Sequence, residues 1–201
     1  MLKNQLRPAI LLTLLLCLMT GVVYPGVMTG IAQVLFPHQA NGSLITGPNG
    51  QVIGSELIGQ PFARAEYFHP RPSAAGNGYD DTLSAGTNKG PTDLKLADTL
   101  VVQAVDSEVM LDGASRGHVP ADLATRSGSG LDPHISPASA FLQIARVARV
   151  RGVDSSAVRA LVERHVEGRQ FGFFGDPRVN VLLLNIDLDR TFSSRAGNAT
   201  P

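Results

Sequence analysis

The sequence predicts an α+β protein in two parts: a single N-terminal transmembrane helix, then one extracytoplasmic domain with a few helices and short strands. Three observations carry this prediction. Between Arg7 and Glu56 there is no Asp, Glu, Lys or Arg. Further along, apolar residues recur at helical spacing in segments bounded by capping residues and glycines. Around these segments lie short apolar runs cut by glycine, the pattern of brief strands. A length of 201 residues suits one domain with an appendage.

The anchor comes first. "AILLTLLLCLMTGVVYPGVM", Ala9 to Met28, is twenty residues, and only its two threonines and Tyr24 carry a polar side-chain group. Twenty helical residues at ~1.5 Å each match the ~30 Å hydrocarbon core of a bilayer. Pro8 is expected in the first turn, where its missing N–H costs nothing. A signal peptide competes, with small residues at Gly30 to Ala32. Signal apolar cores run to ~7–15 residues, however, and this run is longer and continues past Pro25. An uncleaved anchor is the expectation. Lys3 and Arg7 precede it and no basic residue follows soon after, so the N-terminus is expected in the cytoplasm and the rest outside. The chain then divides into a cytoplasmic N-terminus (1–8), an anchor and its exit (9–36), an outer domain (37–190) and a disordered tail (191–201). Gly26 and Gly30, four apart, have the small-xxx-small spacing that lets two helices approach closely.

In the outer domain, "GPNG" at Gly47 to Gly50 is turn chemistry and predicts a hairpin. Tyr67 to Thr92 has no period and many Pro, Gly and Asn residues, so a long loop is expected. A helix capped by Thr92 should follow, with Leu94, Ala97, Val101, Ala104 and Val105 as its apolar stripe and Gly113 as its stop. Two more helices are expected. Pro137–Arg151 is capped by Ser136, lined by Phe141, Ile144, Ala145 and Ala148, and stopped by Gly152. Ser155–Glu167 is capped by Asp154 and stopped by Gly168. The segment 179–190 reads as strand by alternation and as helix by Asn180 with Val181, Leu184 and Leu188; the balance favours helix.

Composition excludes several functions. Seventeen basic residues balance seventeen acidic ones, and there is no Trp, so no nucleic-acid footprint is present. Cys17 is the only cysteine, which rules out a disulfide framework and a CxxC site. The stretch "SGSGLDPHISPASA" (127–140) invites a hydrolase reading through Ser129 and His134, with Ser127 and Asp132 nearby. The residue two before Ser129 is Ser127 rather than the glycine of G-x-S-x-G, and a His five residues on in the same loop is poorly placed as a base. The structural reading is preferred: Ser136 caps a helix, Pro137 opens it, and Asp132 and the serines hold loop N–H groups. No Gly-Lys-Ser/Thr phosphate loop occurs. His69 with Asp80 and Asp81, or Asp132 with His134, lacks the spacing of a metal site. Arg146, Arg149 and Arg151 read as a solvated basic face. No catalytic, metal-binding or cofactor-binding residue is assigned.

The blocks "QANGSLI", "GQPF", "YFHPRPSAAGNGYD", "VPADLATRSGSGLDPHISPASA", "ISPASAFLQIARVA" and "VNVLLLNIDLD" resemble the C-subunit family of the bacterial Kdp potassium-transporting P-type ATPase. They do so in the family's order, from the anchor to about Asp189. "LSAGTNKGPT" (83–92) departs from the family's form, and the chain after Arg190 is peculiar to this sequence. The resemblance implies an accessory subunit of the inner membrane with one helix in lipid and an outer domain. Its implied partners are a potassium-channel-like subunit, an ATP-hydrolysing subunit and a small hydrophobic subunit. It also implies a role in assembly and in raising the ATP affinity of the hydrolysing subunit; ATP enters only through that description. The chain has no D-K-T-G-T phosphorylation motif, so it is not expected to be an enzyme by itself. The resemblance makes Ser127, Ser129, Asp132, His134 and Ser136 a family signature, expected to shape a surface against the pump. A secreted or anchored periplasmic binding protein, or a hydrolase using Ser129 and His134, are the alternative classes.

Overall fold

The structure is a computed structural model and describes residues 2–47 and 49–192. Of the expected disordered tail (191–201), Thr191 is corrected to the end of a helix and Phe192 packs against the core; the rest of it, and Pro48 of the expected turn, lie outside the described residues. The chain forms two compact units, divided after Ile53.

The first unit is dominated by helix. α1 (Leu2–Leu18) runs into a π-helical turn at Met19–Val23 and then into α2 (Tyr24–Leu35). Gln5–Leu35, 31 residues, is the one helical stretch among the described residues long and apolar enough to cross a membrane. It starts earlier than expected: Pro8 lies inside α1 and not in its first turn. The π turn has a local cause. Pro25 follows it immediately and cannot donate to the carbonyl four residues back. Widening the preceding turn relieves the clash of its ring with that carbonyl. Tyr24 N–H accordingly bonds Met19 O, five residues back. A short α3 (Pro37–Ala40) leads to the hairpin of β1 (Leu44–Thr46) and β2 (Val52–Ser55). Gly47 N–H donates to Gln51 O at 2.8 Å to close it.

In the second unit, residues 56–93 contain no helix or strand. A π-helical turn at Leu96–Val101 then opens α4 (Val102–Asp112), which ends on Gly113 at φ 69°. Asp93 and not Thr92 caps this start: its Oδ1 accepts from Leu96 N–H at 3.2 Å. The π turn shifts the helix phase, so Leu94 and Ala97 of the expected stripe are exposed. The packed face continues instead through Ala104 and Val105 to Glu108, which is buried.

A 3₁₀ turn at Arg116–His118 and α5 (Ala121–Ala124) precede β3 (His134–Ile135). α6 (Pro137–Arg151) has the predicted bounds: Ser136 Oγ accepts from Ser139 N–H, and Gly152 takes φ 65°. α7 (Ser155–Arg164) stops three residues short of the expected Glu167 because Val166 and Glu167 form β4. Asp154 precedes α7 but makes no side-chain bond to a backbone N–H. β5 (Arg178–Asn180) and α8 (Val181–Thr191) share the ambiguous segment, so both readings hold in part. Asn180 ends the strand and caps the helix, its Oδ1 accepting from Leu183 N–H at 3.1 Å.

The sheet order is β3-β5-β4, antiparallel throughout, with Ile135 opposite Val179 and Val179 opposite Val166. The core joins this sheet to α6, α7 and α8 through Ile144, Val147, Val158, Leu161, Val179 and Leu184. Each large core side chain fully buried contributes about 1.5–3 kcal/mol.

The loop over 56–93 lies against this core without a sheet partner. Buried main-chain groups need partners, and side chains of α6 and α8 supply them. Asn185 accepts from Phe68 N–H and donates to Phe68 O, each at 2.9 Å. Gln143 does the same for His69 at 2.7 and 3.0 Å. Arg146 donates to Ala65 O and Tyr67 O, and Arg151 to Glu66 O. The basic face expected on α6 is therefore corrected: Arg146 and Arg151 are buried and only Arg149 is solvated, whereas Ala145, placed in the apolar lining, is exposed.

Candidate functional site

Two polar regions could carry function. The first is the loop before α6. Ser127 Oγ accepts from Gly130 N–H at 2.8 Å, and Ser129 Oγ accepts from Leu131 N–H at 3.1 Å. Asp132 accepts from His134 N–H at 3.0 Å and from Arg71 Nη1 at 2.8 Å. Ser136 N–H and Oγ both donate to Asp122, at 2.7 and 3.0 Å, and Ser139 Oγ donates to it at 2.7 Å. From outside the loop, Ser73 Oγ donates to Gly130 O at 2.6 Å, Ser84 Oγ to Ser129 O at 2.9 Å, and Gly59 N–H to Leu131 O at 2.8 Å. Gly130 has φ 70°, and a Cβ there would sit 2.7 Å from Ala75 N and Ala85 O. Only glycine fits.

This arrangement orients backbone. No hydrogen bond joins Ser129 to His134, whose Nδ1 lies 3.6 Å from Asp132 Oδ1. Burial works to raise the Asp132 carboxyl, but hydrogen bonds from His134 and Arg71 outweigh it and hold the group below the usual carboxylate range. A carboxylate already committed to two donors is ill placed to serve a nucleophile. Among the described residues no three His, Cys, Asp or Glu side chains form a metal-binding group. Asp80 instead accepts from Thr82 N–H and Oγ1, and His69 Nε2 lies 3.1 Å from Arg64 O.

The second region was not singled out by sequence. α4 places Glu108 and Asp112 one turn apart on the face toward α6. Arg146 Nε donates to Asp112 Oδ1 at 2.8 Å, with both side chains at most 2% exposed. Glu108 Oε2 and Asp112 Oδ2 are buried without a hydrogen-bond donor. Burial raises Glu108 to about 7, helped by the charge and the hydrogen-bonding proximity of Asp112. Glu108 thus keeps a proton beside Asp112. The signal was present in the sequence: Ala104, Glu108 and Asp112 continue a packed stripe at four-residue spacing.

Glu108 also lines two cavities. One, about 240 Å³, lies among Leu96, Leu100, Ala104, Ala124 and Arg126. The other, about 440 Å³, has walls from Phe62, Pro70, Arg71, Tyr79 and Leu111.

Fold and site together define a protein with, among the described residues, one apolar helix long enough to span a membrane, and a mixed helix-and-strand domain. The sequence profile of the KdpC family, described as the c chain of the K+-transporting ATPase, matches residues 6–190. The chain belongs to this family. It is 58% identical to the potassium-transporting ATPase KdpC subunit of Gemmatimonas aurantiaca, over 92% of each chain. It is 52% identical to the KdpC subunit of Koribacter versatilis, over 94% of this chain and 96% of that one. With the KdpC subunit of Myxococcus xanthus the identity is 55%, over 87% and 82%.

Proposed function

We propose that this chain is the accessory C subunit of a potassium-transporting ATPase assembly in the bacterial inner membrane, and that it does no chemistry itself. The observation that carries the reading is the family match across nearly the whole chain. The helix over Gln5–Leu35 contains the anchor; Lys3 and Arg7 keep the N-terminus cytoplasmic, and the folded unit lies outside. In this reading residues 1–8 are cytoplasmic, 9–36 carry the anchor and its exit, and 37–190 form the outer domain, which Thr191 and Phe192 extend. The partners are a channel-like subunit, an ATP-hydrolysing subunit, a small hydrophobic subunit and the surrounding lipid.

Gly26 and Gly30 are where a partner helix approaches. A Cβ at either position would meet nothing within 4 Å in this chain, which leaves that face open to close packing. The loop 127–136 holds an outer surface in shape for the pump. Any effect on ATP affinity is carried through the membrane helices, because the outer domain and bound ATP occupy opposite sides.

Affinity purification of the tagged chain from membranes should recover the three other subunits, and a C-terminal reporter should be active only outside the cytoplasm. Release of the chain into the soluble periplasm would overturn the anchored-subunit reading. Gly26→Leu with Gly30→Leu should lower recovery of the partners while the outer domain stays folded.

A further inference from the structure

We infer that the 440 Å³ cavity beside α4 is a receptor for a lysine or arginine side chain presented with its peptide carbonyl by a partner segment, with Glu108 as the anionic anchor. The volume falls within the ~300–1,000 Å³ range of binding pockets. What singles it out is a pair of unmet demands. Glu108 is only 8% exposed and its Oε2 has no donor, while Arg71 Nε is buried without an acceptor. Both residues line this cavity.

The surroundings settle the sign of the ligand. Asp112, on the same helix, holds the Nε of Arg146 from α6. The other Arg146 nitrogens go to Ala65 O, Tyr67 O and Gln143 Oε1, so that guanidinium has no hydrogen bond to Glu108. Asp122 of α5 adds negative charge and is itself held by Ser136 and Ser139. The Arg71 charge is met by Asp132. Burial, and then the Arg146 charge, lower the His69 imidazole, which is therefore neutral near pH 7. Glu108 and Asp122 both lack a cation, and of the two only Glu108 lines the cavity. A cationic side chain supplies the missing counterpart, displacing the proton that Glu108 keeps beside Asp112, and the rings of Phe62 and Tyr79 favour a cation further. The Arg71 Nε–H, a spare donor, takes the carbonyl. The inference does not depend on the assembly proposed above, since the chemistry lies wholly within this chain.

The test uses the full-length chain in detergent, titrated by calorimetry with N-acetyl-lysine amide and, as uncharged control, N-acetyl-norleucine amide. Saturable binding of the lysine probe is expected, at least tenfold tighter than the control. Affinity should rise about tenfold from pH 6 to pH 8 as the Glu108 proton is given up, with proton release on binding at pH 6. Glu108→Gln should lose at least tenfold in affinity while its circular dichroism at pH 5, where Glu108 is protonated in the parent, is unchanged. Leu111→Trp fills the cavity without touching a carboxylate and should abolish binding. Equal affinity for both probes, no saturable binding, or wild-type affinity in Glu108→Gln would each overturn the inference.

Discussion

The loop before α6 and the seam between α4 and α6 are both polar, both charged and both part of the same folded unit, yet they are balanced differently. In the loop each carboxylate meets the donors it needs: Asp132 has Arg71 and the His134 N–H, and Asp122 has Ser136 and Ser139. In the seam one guanidinium stands beside two carboxyls and bonds only Asp112, and each carboxyl keeps an oxygen without a donor. The density of Ser, Asp and His drew attention to the first region. Function is better sought in the second, because a satisfied network has nothing left to offer a ligand.

The largest expected effect breaks the seam. Arg146→Met should destabilise the second folded unit by about 3–5 kcal/mol, because it strands the buried Asp112 and removes donors from Ala65 and Tyr67. Denaturant unfolding of the solubilised chain measures this, and a loss below 1 kcal/mol would show that water reaches the pair. Gly130→Ala should come next. A left-handed alanine costs about 1–2 kcal/mol, and its Cβ would also press on two backbone atoms of neighbouring segments.

Stability against pH separates the two regions by sign. Glu108 is raised in the fold, so between about 4.5 and about 7 the native state holds a proton that the unfolded chain has lost. Its contribution is complete below that window and disappears as pH rises through it, by about 1–3 kcal/mol once solvent screening is allowed for. Asp132 is lowered, so its contribution is present above its ordinary value of 3.8 and is lost as pH falls through the folded value. The stability profile should therefore peak between these windows. In Glu108→Gln the decline towards pH 7 should flatten; a decline identical to that of the parent would assign it elsewhere.

The smallest effects are expected for the polar side chains of the loop. Ser136→Ala removes a cap worth about 0.5–2 kcal/mol, and Asp132→Ala leaves Arg71 without its partner; both should reduce complex yield. Ser129→Ala and His134→Ala should do less, and turnover per assembled complex should hardly change. Full assembly with abolished turnover in either would restore a chemical role for the loop.

Where a structure depends on neighbours in sequence, it could be read from the residues. α6 begins and ends where Ser136, Pro137 and Gly152 say it should, because caps act within one turn. The anchor was legible because nothing polar enough interrupts it, although Pro8 and Pro25 are accommodated inside the helix rather than at its edges. Asn180 was recognisable as a cap, but the strand it closes exists only because β3 and β4 arrive on either side of β5. Arg146 and Arg151 look like surface residues in any local window. Their burial depends on a loop about eighty residues earlier in the chain, whose carbonyls have no strand to pair with and take guanidinium donors instead. Glu108 follows the same logic. Its spacing put it on the packed face, but only tertiary contact brought Asp112, Asp122 and Arg146 around it and left it without a cation of its own. Capping and apolar periodicity are local free energies, whereas the partner of a buried charge is set by which distant segments share its space.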